Sequence, residues 1–377
     1  MANSDGSTPD LATEFAQQDG LLYLNHAAVA PWPQRTQDAV TEFARQNVFI
    51  GARDYPRWLK VEQQLRERLA WLVGGVSSEE IALLKNTSEG LSVIAQGLEW
   101  QAGDQIIISD QEFPSNRIPW QALAKQGVEV IEVNLEGDNP EQDVIDAMGP
   151  RPRLVSLSAV QYGTGLLMDM APIGAACRAQ GTLFCVDAIQ ILGALPFSAE
   201  QVNADFVVAD GHKWMLGPEG LALFYCRRAV QDQLILRQHG WHMVAEPGDY
   251  TRRDWQPAST AKRFECGSPN MLGAHALNAS LSLLQDTGMD VVADALQQRV
   301  QRLIEGLNDK GAALLSAPAP QRRAGIVTFR MPEEAPGDTF QRLKKNGVVC
   351  AERGGGVRFS PHFYTADSVI DQALELL

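Results

Sequence analysis

Apolar positions along this chain recur with two alternating periods, and the alternation predicts its architecture. Short apolar runs rich in β-branched residues, such as 106–109 and 183–186, read as buried strands. Segments with apolar residues three and four apart lie between them and read as helices. The run 21–24 predicts a short strand leading into Asn25-His26-Ala27-Ala28-Val29-Ala30-Pro31, where small residues suggest backbone lying close to something else. A helix is predicted from Pro33 to about Ile50, with Val40, Phe43 and Ala44 on one face. A second runs from about Arg57 to Leu72, with Leu65, Leu69 and Leu72 in helical register.

From there strands are predicted at 81–84, 106–109, 128–133, 154–157, 183–186, 206–208 and 221–225, with helices at 88–98, 116–126, 141–148 and 170–179. This order predicts an α/β fold with a mainly parallel, doubly wound sheet covered on both faces. Ligands of such sheets collect beyond the strand C-termini. The pattern breaks into loop over about 237–270. A smaller α+β region follows, with helices at 271–284 and 291–310, a strand at 325–329 and a helix at 339–345. Strands at 348–351 and 357–359 and a helix at 367–376 complete it. The organisation read from this is a loose N-terminal arm over 1–20, a large domain over 21–269 and a small C-terminal domain over 270–377.

Composition narrows the classes. A chain of 377 residues suits two domains. A net charge of −14 disfavours nucleic acid and anionic membrane as partners, yet leaves room for a local basic pocket. No apolar run is long enough to span a bilayer, and residues 1–15 carry no basic and apolar leader pattern. The cysteines (Cys177, Cys185, Cys226, Cys266, Cys350) are scattered and form no CxxC pair. Neither a metal site nor a disulfide framework is indicated, and the cytoplasm is the expected compartment.

Candidate chemistry clusters at predicted strand ends. Lys213 lies in Asp210-Gly211-His212-Lys213-Trp214-Met215-Leu216-Gly217-Pro218-Glu219-Gly220, after a strand and before a Gly-Pro turn. Asp187 ends an earlier strand, with Gln190 three residues on. A lysine can form a Schiff base with pyridoxal 5′-phosphate (PLP), while a carboxylate keeps the ring nitrogen protonated and a glutamine bonds the phenolic oxygen. The ordinary readings are a surface lysine and a strand-end cap. Asn86-Thr87-Ser88-Glu89-Gly90 opens a predicted helix, either as a phosphate cup or as a plain N-cap by Thr87 or Ser88. Phe113 is a stacking ring or a core-edge aromatic, and His212 a phosphate contact or a loop histidine. Gly267 and Ser268 either face a phosphate or start a helix with Pro269. Arg358, in Gly354-Gly355-Gly356-Val357-Arg358-Phe359-Ser360, is a fork for a carboxylate or a surface ion pair.

In this order and spacing the motifs resemble class V aminotransferases, PLP enzymes of fold type I. The resemblance is to the branch holding SufS-type cysteine desulfurases and isopenicillin N epimerase-like proteins. It runs from Tyr23-Leu24-Asn25-His26-Ala27-Ala28 to Ser360-Pro361-His362-Phe363-Tyr364. Its most specific parts are Val186-Asp187-Ala188-Ile189-Gln190, the Lys213 stretch and Arg263-Phe264-Glu265-Cys266-Gly267-Ser268-Pro269-Asn270. The resemblance implies that Lys213 is the Schiff-base lysine and acid/base, that Asp187 partners the pyridinium and that Gln190 meets the phenolic oxygen. Thr87, Ser88 and His212 go to the phosphate, and Phe113 stands where many relatives have histidine. Arg358 holds a substrate carboxylate, and Asn25, His26, Ala27 and Ala28 line the substrate end. Gly267 and Ser268 reach a neighbouring subunit's phosphate site, which implies a homodimer with shared active sites. Trp32, Trp241 and His242 are candidate specificity residues.

Two departures shape the expected chemistry. Asp210 replaces a phosphate-binding serine and is expected to turn away from the anion. Desulfurases carry a mobile cysteine on an extended loop; here Cys350 lies in a predicted strand with a short loop after it, so persulfide-forming desulfuration is disfavoured. The leading expectation is an aminotransferase acting at Cα of an amino acid. A β-eliminating C–S lyase for a cysteine- or cystine-like substrate, or a desulfurase-like enzyme, comes second. An amino-acid epimerase and a catalytically silent PLP-binding partner complete the set.

Overall fold

In the computed structural model residues 9–377 are described, and residues 1–8 of the expected arm lie outside them. Strand β1 (Leu22–Tyr23) comes first. Seven strands then build one sheet: β2 (Ile81–Leu84), β3 (Gln105–Ser109), β4 (Glu129–Val133), β5 (Pro152–Ser158), β6 (Leu183–Asp187), β7 (Phe206–Asp210) and β8 (Ala222–Cys226). Their order is β2-β8-β7-β6-β5-β3-β4. Strands β3 to β7 are joined by parallel ladders, and β8 runs against both β7 and β2. Every residue of β6, β7 and β8 is buried, as a sheet covered on both faces requires. The period-two pleat divides β3 between the two cores: Ile107 joins one hydrophobic cluster, Ile106 and Ile108 the other.

The C-terminal region adds β9 (Ala313–Leu314), β10 (Val327–Arg330), β11 (Val348–Val349), β12 (Ala351–Arg353) and β13 (Gly356–Phe359). Four of these make an antiparallel sheet in the order β12-β13-β10-β9. β11 instead pairs in parallel with β1, and Asn25 bridges Ser360. The start of the chain is thus stitched to its end. The helices Gln34–Ile50 and Tyr55–Leu72 pack against Met271–Thr287.

Three local expectations change. The single helix expected at 116–126 is broken into turns at Pro114–Asn116, Ile118–Gln121 and Ala122–Gln126. Proline is accommodated in a first helical turn and not further in, so Pro114 and Pro119 each fall in the first turn of a short segment. The strand expected at 348–351 divides at Cys350, because β11 and β12 belong to different sheets. Residues 9–20 are not loose: Asp10 caps a helical turn at Leu11–Glu14, and Phe15 stacks on Tyr364 at 3.4 Å and 4°. No described helix is long and apolar enough to cross a membrane.

The helix Met170–Gln180 lies so close to the 198–204 turn that a Cβ at Gly174 would overlap the Val202 carbonyl. Gly174→Ala should therefore cost about 2–4 kcal/mol, read as a lowered melting temperature or loss of soluble protein. An unchanged melting temperature would show that this contact relaxes freely.

Candidate active site

Strand ends deliver the expected residues to one cavity of about 400 Å³. Asp187 terminates β6, and its Oδ1 accepts the Ile189 N–H at 3.1 Å. Lys213 sits in the β7–β8 connection, where Leu216 turns the chain at a φ of 60°. A left-handed leucine costs roughly 1–2 kcal/mol. Two backbone bonds close the turn, from Leu216 N to Lys213 O and from Gly217 N to Gly211 O. Burial pushes the Asp187 carboxyl up and the Lys213 amine down. Each opposite charge partly offsets the other's desolvation.

The helix Thr87–Gly97 aims its N-terminus at the same cavity. Its cap is Asn86, which accepts the Glu89 N–H at 2.9 Å, rather than Thr87 or Ser88. Both are thereby released from capping. Thr87 Oγ1 accepts the Asp210 N–H at 3.1 Å, and Ser88 Oγ donates to Ser115 Oγ at 2.8 Å. Phe113 forms part of the wall, edge-on to Tyr162 at 5.1 Å, with Lys213 Nζ 5.8 Å from its ring centroid. Gln190 reaches the cavity too, donating to Ala27 O at 3.1 Å and accepting from Trp214 Nε1 at 2.8 Å.

Asp210 does not turn away as expected: it is buried in the cavity wall. Its Oδ1 lies 3.1 Å from His212 Nδ1, an ion-pair separation without hydrogen-bond geometry, and both atoms are otherwise unpartnered. Arg358, on β13, is 3% exposed and faces the cavity. It donates to Tyr162 O at 2.8 Å, its buried Nε has no partner, and it has no acidic partner among the described residues. Burial pushes its guanidinium down to about 10. A buried guanidinium left unpaired points to an anion supplied from outside the chain.

Not every candidate arrives. His26 is fully buried away from the cavity, its Nδ1 donating to Ser360 O and its Nε2 accepting from Tyr364 Oη, both at 2.8 Å. Its expected place at the substrate end is corrected: both ring nitrogens are spent in packing the first loop on the last. Asn25, Gly267 and Ser268 also lie off this cavity, whereas Ala27 and Ala28 line it. Gly267 and Ser268 line a separate groove with Cys266 and Pro269. Of the specificity candidates, Trp32 donates to Gly217 O, and Trp241 borders another surface pocket with Tyr250 and Trp255. His242 is buried, its Nδ1 3.8 Å from Glu265.

A buried polar residue beside the site that the sequence reading did not single out is Glu112. It is buried without a cation and accepts from Ser109, Asn116 and both the N–H and hydroxyl of Ser158. Burial raises its carboxyl. Its donors are spread from residue 109 to 161, so spacing along the chain carried no signal. Together the residues fit the expected cofactor. They offer an anion site at a helix N-terminus, a buried carboxylate, an apolar wall and a reachable amine.

The cysteines sit elsewhere. Cys177, Cys185, Cys226 and Cys350 are buried, and Cys266 is partly exposed, with Sγ donating to Gln238 Oε1 at 3.3 Å. Burial pushes the Cys350 thiol up to about 12. Beyond it, β12 and β13 are joined through Gly354 and Gly355 at φ of 59° and 75°, a tight turn with no extended loop.

Titration of native protein with a thiol reagent should register about one fast-reacting thiol, Cys266, with the rest appearing on unfolding; a second fast thiol mapped to Cys350 would contradict its burial. A pH effect follows from His26, whose burial pushes it down to about 4. The unfolded chain binds a proton below about pH 6.5 that the folded chain refuses, so stability is full above that pH and falls as pH drops. The loss approaches on the order of 3 kcal/mol near pH 4 from this residue. Melting curves at pH 7.5, 6 and 5 should fall in that order, with a shallower slope in His26→Asn.

Comparison with known proteins agrees with this geometry. The model of the family "Aminotransferase class-V" matches residues 22–366. A probable cysteine desulfurase of Methanothermobacter thermautotrophicus is 28% identical, covering 98% of this chain and 97% of its own. A C-DES variant with glycine covalently linked to its PLP cofactor superposes with a TM-score of 0.90 at 25% identity, covering 98% of both chains. The cystine C–S lyase C-DES bound to its product cysteine persulfide gives 0.86 at 25% identity, covering 95% of this chain and 97% of its own. With its sheet, its strand-end lysine and its buried carboxylate in place, the chain belongs to the class V aminotransferase family and is a PLP-dependent enzyme of fold type I.

Proposed function

We propose that this enzyme is a β-eliminating C–S lyase acting on cystine or a similar disulfide amino acid. The observation that carries this reading is the likeness to a cystine C–S lyase in a chain whose cavity wall contains no cysteine. Cystine already contains the sulfur–sulfur bond, so its cleavage needs no protein thiolate. Elimination breaks the substrate's Cβ–S bond, and with one water the products are pyruvate, ammonia and cysteine persulfide. When bound, PLP supplies an electron sink for the pair released at Cα.

The chain's own groups divide the remaining work. Arg358 takes the α-carboxylate on its free Nε and fork. Lys213 removes the Cα proton, its amine already lowered by burial. Asp187 balances positive charge at the ring nitrogen, Phe113 covers one ring face, and Thr87, Ser88 and His212 receive the phosphate. Gln190 donates to the phenolic oxygen. Ala27 and Ala28 bound the substrate end. Gly267 and Ser268, which lie off their own cavity, complete the phosphate site of a second copy in a homodimer.

Incubation with cystine and no amino acceptor should yield pyruvate and a persulfide in equal amounts, quantified by lactate dehydrogenase coupling and cyanolysis. A keto acid that forms only when an acceptor is added would restore the aminotransferase reading, and stereochemical inversion alone the epimerase. Silence toward every amino acid would favour a non-catalytic partner. Cys350→Ser should retain turnover, which separates the lyase from a thiolate-dependent desulfurase. Arg358→Lys should lower kcat/KM by roughly 10–100-fold, mostly through KM, because an ammonium cannot reproduce the two-pronged contact. Lys213→Ala should abolish both turnover and the visible absorbance of covalently held cofactor.

A further inference from the structure

We propose that Trp214 is a positioning residue that fixes the polarity of Gln190, so that this amide presents only a donor to the cofactor. Trp214 is fully buried, next in sequence to Lys213, and lies outside the cavity lining. Its indole N–H can only donate, and it donates to Gln190 Oε1 at 2.8 Å. The other protein partner of Gln190 is a carbonyl, Ala27 O, which can only accept, and it takes one Nε2 hydrogen at 3.1 Å. With a donor-only group at one end and an acceptor-only group at the other, just one orientation of the amide satisfies both. The second Nε2 hydrogen is then left for the cavity that Gln190 lines.

The indole is itself held from several sides. A Cβ at Gly325 would overlap its ring, and one at Gly193 would overlap its carbonyl oxygen. That carbonyl accepts from His362 Nε2 at 3.2 Å, while His362 Nδ1 accepts the Phe363 N–H at 2.8 Å. These partners assign His362 as the neutral Nε2–H form. The last loop of the chain therefore braces Trp214, Trp214 orients Gln190, and Gln190 ties down Ala27 at the substrate end. A glutamine free to rotate would place its oxygen toward the cavity part of the time. There it would repel a phenolate and leave a buried group unpaired.

This rests on the reading of Gln190 as the contact to the phenolic oxygen. A donor at that oxygen drains negative charge from it and so loosens the neighbouring proton on the lysine–cofactor linkage. Loss of the donor should raise the pH midpoint of the bound cofactor's visible absorbance. PLP is added to cofactor-stripped full-length protein, and affinity and midpoint are measured for wild type, Trp214→Phe, Gln190→Ala, Gln190→Glu and the Trp214→Phe/Gln190→Ala double variant.

Trp214→Phe should weaken PLP binding about tenfold and raise the midpoint by about one unit. Gln190→Glu, which can accept from the indole but donate nothing, should raise it too. The double variant should go no further than Gln190→Ala alone. An unmoved midpoint in Trp214→Phe, or additive shifts in the double variant, would overturn the proposal and leave Trp214 as packing. Should Trp214→Phe not fold, indole ¹⁵N–¹H spectra of wild type decide. The Trp214 signal should exchange slowly and move in Gln190→Ala, and a signal indifferent to Gln190 rejects the link. Failure of wild type to take up PLP would overturn this proposal together with the reading beneath it.

Discussion

Charge held away from water is the constraint on which this structure turns. Asp187 and Lys213 come from different strand ends, and the desolvation of each is offset in part by the other's charge, with Asp187 helped first by the Ile189 N–H. The parallel sheet supplies that environment. Its inner strands are apolar on both faces, so the first polar groups the chain can offer stand just past the strand C-termini. The same geometry brings Asp210 and the start of the Thr87–Gly97 helix alongside. A site for a charged, flat ligand is thus a consequence of how the sheet ends.

Around that centre the polar groups form directed networks. Glu112 is a buried carboxyl group with no cation, held by five donors from Ser109, Asn116, Ser158 and Gln161. It anchors the strand end from which Phe113 projects, and its charge adds to the upward push on Asp187. On the other side, His26, His362, Tyr364 and Trp214 join the first loop, the last loop and the lysine turn. Half-satisfied networks of this kind would destabilise a core, whereas satisfied ones specify a single arrangement. Arg66 plays a comparable part between Glu62 and Glu265, beside the segment carrying Gly267 and Ser268.

The choice of chemistry rests on what the second region withholds. A tight β12–β13 turn takes the place of an extended loop, and Cys350 is buried at the junction of two small sheets. A thiol whose ionisation is opposed by burial is a poor nucleophile. In the proposed reaction the substrate's sulfur therefore leaves as part of the substrate, which suits elimination from a disulfide. The unpaired Arg358 is the complementary feature, since its place among the cavity groups is otherwise an uncompensated cost.

Much of this molecule is legible in its sequence alone. The two hydrophobic periods located the strands and nearly all the helices, because burial imposes those periods directly on neighbouring residues. The lysine, its carboxylate, the helix-start hydroxyls and the late arginine were legible as motifs, since each chemical role demands a particular residue type at a strand end. Other features depended on residues far apart in the chain. Nothing local tells that β8 runs antiparallel, that β1 pairs with β11, or that Gln190 faces an indole 24 residues on. His26 and Arg358 show the limit most plainly: both looked like ligand contacts, and only packing decided that one has both nitrogens satisfied and the other has a free N–H. By itself the sequence determined which groups exist and in what order. The tertiary structure decided which of them remain unpartnered, because hydrogen-bond satisfaction is a property of neighbours in space.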